Sequence, residues 1–322
     1  MSSDLIVAVD LGGTQIRAAL CDTTGHILKR TAQPTHAFEG PEAVFSRITD
    51  CVRQIVDNWS RVRGIGYGSP GPLDSKRGVI LEARNLPGMT NFPMKARLEK
   101  EFHVPAFIGH DAKVAALAEH RFGAGRGFEH MIYMTISTGI GGGIIANGKI
   151  YLGWRGFAGE VGHQTLEPRG PLCTCGNVGD LEALASGPAI VRDARDALRA
   201  GRDSAMRALV NDDLDNLTGA IVTQAAQGGD ALACELFERA GSYIGMGMAN
   251  LLQILDTQVF VLGGSVAVYA WDFLYPGMIA EFEKRTMSST RKGVQIIQAQ
   301  LGDDVGLLGA AVLAIDGLSS NA

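Results

Sequence analysis

The chain has no excess of positive charge. Its 29 Lys and Arg stand against 34 Asp and Glu, a net charge of −5 over 322 residues. That leaves no basic footprint for nucleic acid and no polybasic patch for an anionic membrane. It also lacks a long apolar run: the longest tempting stretch, Val305 to Ile315, falls well short of a bilayer span. The opening residues Met1 to Asp4 lack the basic region of a signal sequence, and the strand that follows is too short for one. Five cysteines, two of them in Cys173-Thr-Cys175, have no disulfide-scaffold spacing. These absences predict a reduced cytoplasmic protein. No Gly-x-x-x-x-Gly-Lys-Ser/Thr run occurs, so a bound nucleotide must be held by something other than a P-loop. The 42 glycines follow neither a collagen period nor a linker tract, gathering instead at strand–turn junctions.

The length is enough for two domains with a large core, and 46% hydrophobic with 20% charged residues is ordinary for a globular protein. Strands are expected near 4–10, 16–22 and 27–33, followed by a helix over 41–59. In that helix Val44, Phe45, Ile48, Val52, Ile55 and Val56 recur at helical spacing. A strand at 62–68 leads into a Pro/Gly loop, with a short helix after Pro93. The strand at 104–108 then ends at His110-Asp111, before a helix over 112–122. Further strands are expected at 130–137, 142–150 and 258–262, with mostly helix over 183–252 and a last helix over 303–315. The domain boundary is expected near 117–125.

The first informative motif is Asp10-Leu-Gly-Gly-Thr14, a glycine turn between two strands with an acid at its mouth. Gly12 and Gly13 offer backbone conformations closed to other residues and let N–H groups approach a ligand. Asp10 is placed to orient a hydrated magnesium ion, and the Thr14 hydroxyl to donate to a phosphate. The plain alternative is a hairpin turn and nothing more. A second glycine hairpin, Ser137-Thr-Gly-Ile-Gly-Gly-Gly143, echoes the first and suggests two related domains. Gly66-Tyr-Gly-Ser-Pro-Gly71 satisfies the dinucleotide pattern G-x-G-x-x-G, but Pro70 and Pro72 obstruct the helix that pattern requires.

These motifs and their order resemble the ROK family (repressors, uncharacterised reading frames and sugar kinases), most closely its bacterial glucokinase branch. The resemblance runs nearly end to end. It includes Gly68-Ser-Pro-Gly-Pro-Leu-Asp74, Asn85-Leu-Pro-Gly88, His110-Asp-Ala112, Ala158-Gly-Glu-Val-Gly-His163, Cys173-Thr-Cys-Gly176, Leu181-Glu182, Val261-Leu-Gly-Gly264 and Gly309-Ala-Ala311. It implies an α/β, two-domain actin-like ATPase (ribonuclease H-like) fold with an interdomain cleft. Residues 1–118, joined by a C-terminal helix at about 304–322, would form the N-terminal domain, and 119–303 the larger C-terminal one.

The resemblance implies ATP-dependent phosphorylation of a hexose at its 6-hydroxyl, with glucose foremost and fructose, mannose, allose or N-acetylmannosamine as alternatives. Asp111 would be the general base; the alternative role is capping the helix that follows. Gly12, Gly13, Thr14, Thr138 and Gly139 would contact phosphates, Gly263 and Gly264 would border the adenosine, and Asp10 would hold Mg²⁺ with the nucleotide. Gly71, Asn85, His110, Asp111, Glu160, His163 and Glu182 would bind the sugar, because carboxylates and amides suit a neutral polyol. For Glu160 and Glu182 a solvated surface role stays open. His163, Cys173 and Cys175 match three ligands of the family's His/Cys₃ zinc loop, but Asp180 stands where the last cysteine belongs. A His/Cys₂/Asp structural zinc site and an empty loop with two free thiols are both open.

Three departures bear on sugar identity: His110 and Lys113 each replace an asparagine, and Met89 sits where a tryptophan is common. A sugar-responsive regulator is the rival of another class. It would carry a DNA-binding segment ahead of the sugar domain, and Asp10 in the first strand leaves no room for one. The expected partners are a sugar and ATP, with no nucleic acid or membrane, in a homo-oligomer such as a dimer or tetramer.

Overall fold

The computed structural model describes residues 4–83 and 85–320. The chain opens with β1 (Leu5–Leu11), β2 (Gln15–Asp22) and β3 (Ile27–Pro34), then α1 (Pro41–Ile55) and β4 (Val62–Ser69). A small hairpin, β5 (Leu73–Asp74) and β6 (Val79–Ile80), precedes α2 (Met94–Phe102), β7 (Ala106–His110) and α3 (Asp111–Phe122). Next come β8 (Met131–Ile136), β9 (Ile140–Ala146) and β10 (Lys149–Ile150). Five helices follow: α4 (Leu181–Ala185), α5 (Gly187–Arg199), α6 (Met206–Leu209), α7 (Gly219–Gln227) and α8 (Ala231–Leu255). The chain closes with β11 (Val259–Gly263), α9 (Ser265–Tyr269), α10 (Trp271–Arg285), β12 (Gln295–Gln298) and α11 (Val305–Ser320).

Two compact units result. One holds residues 1–127, 143–158 and 300–322; the other holds 128–142 and 159–299. The larger sheets run β3-β2-β1-β4-β7 and β10-β9-β8-β11-β12, the same order of third, second, first, fourth and fifth strand. In the first, β1 to β3 are antiparallel and β4 and β7 join β1 in parallel. In the second, β8, β11 and β12 are parallel. Among the described residues no helix is long and apolar enough to cross a membrane, and all five cysteines are free thiols.

β1 is apolar on both faces, as a central strand between two layers must be. Val7 and Val9 join the core that includes Val44, Ile48 and Val52 of α1, while Ile6 and Ala8 face Leu307, Ala310 and Ala311 of α11. Small residues let α11 come close. A Cβ on Gly309 would lie 1.9 Å from the Val114 carbonyl oxygen, and one on Gly66 would lie 1.7 Å from that of Ala310. The second unit has a core of its own, with Ile132 and Met134 of β8 and Phe260 of β11 joined by Ala240, Ile244 and Met248 of α8. Side chains cap four of its helices at Asp180, Ser186, Thr218 and Asp230. Replacing such a cap with alanine costs about 0.5–2 kcal/mol.

Several sequence expectations differ from the fold. The helix expected over 41–59 stops at Ile55, and Asn58 caps a separate short turn. The strand expected over 142–150 is broken by Asn147-Gly148, both at positive φ, the dipeptide that suits a tight hairpin. The helical stretch 183–252 is three whole helices, α5 to α7, and parts of two more, α4 and α8. β12 and α10 have no counterpart in the sequence reading: β12 is four residues long, and Pro276 interrupts the pattern of α10. Gly12 and Gly13 are not at positive φ. They are needed for space: a Cβ would sit 3.2 Å from the Gln15 carbonyl oxygen at Gly12 and 3.0 Å from Asn85 Cβ at Gly13.

Candidate active site

In the first unit, β1, β4 and β7 run parallel, with Asp10 opposite Gly68 and Gly68 opposite Gly109. Asp10, the loop after Ser69 and the His110-Asp111 pair therefore emerge at the carboxyl ends of three adjacent strands. Ligands of open α/β sheets bind at such ends. Asp111 is the first residue of α3; its Oδ1 accepts the Ala112 N–H at 2.6 Å and lies 3.0 Å from His110 Nδ1. Desolvation works to raise its pKa, but the imidazole, the Ala112 N–H and Lys113 outweigh it and hold the carboxyl below its ordinary value. Asp111 is thus a carboxylate at neutral pH, with its side chain 47% exposed.

Asp10 is the opposite case. Its side chain is only 13% exposed, and burial raises its pKa despite the Arg17 guanidinium, with the charge of Asp111 adding to the rise. Arg17 Nε and Nη2 donate to Asp10 Oδ2 at 3.1 and 2.5 Å, and Nη1 donates to the Asp303 carbonyl at 2.6 Å. The sequence reading missed Arg17. Counting back across the hairpin places it opposite Asp10 in the antiparallel register, so the signal was there. Gly71 lies against His110, where a Cβ would fall 2.5 Å from the imidazole Cδ2, and Asn85 lies against Gly13. Thr14 is exposed at the turn. Gly12, Gly13, Thr14, Asn85, Gly71, His110 and Asp111 thus all belong to this unit.

The second unit assembles the remaining candidates. Thr138 and Gly139 turn between β8 and β9, while Gly263 and Gly264 end β11, the parallel neighbour of β8. Gly264 has φ 86°, and a Cβ there would lie 2.4 Å from the Ile136 carbonyl oxygen. Glu182 Oε2 accepts the Ile140 N–H at 2.8 Å, and a Cβ on Gly139 would approach that oxygen to 2.7 Å. Glu182 is thus anchored against the turn, which a solvated surface carboxylate is not. Glu160 is exposed just before the short turn Val161–His163. Beside the Thr138 turn opens a cavity of about 830 Å³, lined among others by Ser137, Arg195, Ser265 and Tyr269.

His163, Cys173, Cys175 and Asp180 bring four donor atoms within 4.8 Å of one another. His163 Nδ1 lies 2.9 Å from Asp180 Oδ2 and 3.9 Å from Cys173 Sγ, and Cys175 Sγ lies 3.4 Å from Asp180 Oδ2. Asp180 is fully buried, and its Oδ1 accepts the Ala183 N–H at 2.9 Å. Burial pushes the Cys173 thiol up to about 12, so without a cation it is a neutral thiol, and a bound cation would have to displace its proton to take it as thiolate. Tetrahedral zinc with sulfur at ~2.3 Å and nitrogen or oxygen at ~2.0 Å needs donors on this spacing. The residues fit such an ion, whose contribution when bound is structural cross-linking of the loop.

Residues 6–317 match the profile of the ROK family. The chain belongs to the ROK family. It is 36% identical over 318 residues to a glucokinase of Halalkalibacterium halodurans, spanning 97% of this chain and 96% of that protein. An N-acetylmannosamine kinase of Shigella flexneri is 34% identical over 310 residues, or 96% and 98% of the two chains. A ROK family glucokinase from Streptomyces griseus, solved in complex with glucose and AMPPNP, superposes with a TM-score of 0.83 at 33% identity. That match covers 97% of this chain and 100% of the other. The expected actin-like ATPase architecture therefore holds for this ROK protein. Its departures from the family pattern sit at distinct depths: Met89 and Lys113 are buried, whereas His110 borders Asp111.

Proposed function

We propose that this ROK-family sugar kinase transfers the γ-phosphoryl group of ATP to the 6-hydroxyl of glucose. The observation that carries the reading is the Asp111 carboxylate, held ionised at the carboxyl end of β7, with Asp10 two strands away at the end of β1. A sugar hydroxyl is a weak nucleophile. An aspartate that accepts its proton as the new P–O bond forms contributes ~10²–10⁴-fold. Positioning and charge stabilisation supply much of the rest of phosphoryl transfer.

Around that step the residues divide the work. The turns at Gly12–Thr14 and Thr138–Gly139 bring backbone N–H groups to the phosphates. The cavity beside Thr138, with Gly263 and Gly264 at the end of β11, receives the nucleoside. Asn85, His110, Glu160, His163 and Glu182 accept and donate to sugar hydroxyls. His163 turns Nδ1 to the Cys173–Asp180 cluster, which leaves Nε2 for the sugar. Asp10 holds the magnesium that accompanies ATP, whose chemistry is to neutralise charge on the β- and γ-phosphate oxygens.

N-acetylmannosamine is the second reading. It is favoured by the His110 substitution and by relatives of that activity at an identity close to that of the glucokinases. A coupled assay with ATP and Mg²⁺ over a panel of hexoses and amino sugars tests both. The highest kcat/KM is expected for glucose; a higher value for N-acetylmannosamine selects the second reading, and no turnover with any sugar defeats both.

A further inference from the structure

Glu119 lies fully buried on α3, two helical turns beyond Asp111, and no role in the chemistry is assigned to it. A buried charge must be compensated by hydrogen bonds or an opposite charge. Here the compensation is backbone. Glu119 Oε2 accepts the Ala124 N–H at 2.8 Å, and Oε1 accepts the Gln300 and Leu301 N–H groups at 3.0 and 2.9 Å. The Glu119 main-chain carbonyl adds bonds from the Gly123 and Gly125 N–H groups. A Cβ on Gly123 would lie 2.0 Å from Oε2, so a side chain there would have to push the carboxylate away from its present position.

The two segments gathered by this carboxylate are not arbitrary. Residues 124–125 precede Gly127, where the chain first leaves the first unit, and Gln300 is where it comes back for the last time. Leu301 leads directly into the turn Gly302–Asp304 and into α11. That turn supplies the Asp303 carbonyl to Arg17, the partner of Asp10. One turn on, a Cβ on Gly306 would fall 2.5 Å from Asp10 Oδ2. One end of α3 therefore carries Asp111, and its other end grips the segment that braces Asp10.

We propose that Glu119 is a positioning residue that sets the spacing of Asp10 and Asp111 by clamping the start of α11 to α3. The activity arm of its test rests on the kinase reading; the structural arm does not. Glu119→Gln presents an amide N–H₂ to backbone N–H groups and breaks at least one of the three bonds. Val222→Ala, a cavity in the core of the second unit, serves as a destabilised control. In Glu119→Gln, amide exchange at 124, 300 and 301 is expected to rise by about tenfold or more, as for loss of a hydrogen bond to a charged group. The kcat is expected to fall by about tenfold to a hundredfold, since misplacement on the ångström scale costs that much, while Val222→Ala keeps its kcat. If Glu119→Gln does not fold, Glu119→Asp, one carbon too short to reach both segments, is expected to show the same pattern at smaller size. Unchanged exchange at those amides overturns the clamp. Faster exchange with a kcat equal to that of the control overturns the positioning role. A wild-type enzyme inert toward every sugar defeats the kinase reading and leaves the exchange result to judge the clamp.

Discussion

The two sheets share one strand order, and each places a glycine turn after its first strand, yet the turns carry different chemistry. In the first unit the turn stands beside two carboxylates, Asp10 and Asp111, whose pKa values are driven apart by burial on one side and hydrogen bonding on the other. In the second unit the carboxylate at the turn comes from a helix further along the chain. Gly139 meets Glu182, which is fastened to the Ile140 N–H, and a four-residue donor cluster lies beside it through Cys173. On the function proposed above, a common scaffold carries a reacting half and a holding half. A parallel detail supports this division: the crowded turn glycine faces Asn85 in one unit and Glu182 in the other, both expected sugar ligands. Glycine at these turns is a matter of room for a neighbouring side chain.

The largest test of the contrast is Asp111→Asn, which is expected to lower kcat by about 10²–10⁴-fold with circular dichroism unchanged. A variant retaining near-wild-type turnover would move the chemistry away from the first unit. Next come the turns themselves. Gly139→Ala drives a methyl toward Glu182, and the KM for sugar is expected to rise by about tenfold, the scale of a lost hydrogen bond to a charged group. Gly13→Ala, with 3.0 Å available against 2.7 Å, is expected to cost less. Steady-state kinetics on the pair decide whether the holding role belongs chiefly to the second unit; the reverse ranking would say otherwise.

Removal of metal should act on the holding half alone. Chelation, or Asp180→Asn, is expected to lower the Tm by about 4 °C or more and to reduce zinc content measured by mass spectrometry. Protein purified without bound metal, and insensitive to chelator, would assign the loop to two free thiols.

The smallest effect is in pH dependence. Asp10, raised by burial, is expected to protonate first on acidification, so the acid limb of kcat/KM starts above the ordinary carboxylate value of 3.8. Arg17→Ala removes a cation that favours the charged form and should move that limb higher still. Asp111, held low, stays ionised through the same range. Its contribution to stability, like that of Asp180, is complete above the unfolded-state pKa and is lost as pH falls through the lower folded value. A limb that does not move in Arg17→Ala would remove Asp10 from the acid titration.

Much of the first unit was legible from residue order. The apolar run of β1, the helical spacing over α1 and the turn at Gly12-Gly13 place Asp10 at a strand end without any long-range information, and the hairpin register even implies Arg17. The second unit was less legible. Short helices separated by one- to nine-residue breaks read as one helical region, and a four-residue strand leaves almost no periodic signal. The zinc-loop residues were found through family motifs, but nothing local shows that the buried Asp180 both caps α4 and faces His163.

Residue order alone decided the hairpins, the strand-end acids and the family, because side-chain alternation and turn sterics act over a few residues. Tertiary structure alone decided that Glu119 meets Gln300, 181 positions away, and that α11 returns to the first sheet. The reason is that a buried carboxylate and a glycine-lined helix contact are specified by what lies across them in space, and packing supplies those neighbours only once the whole chain has folded.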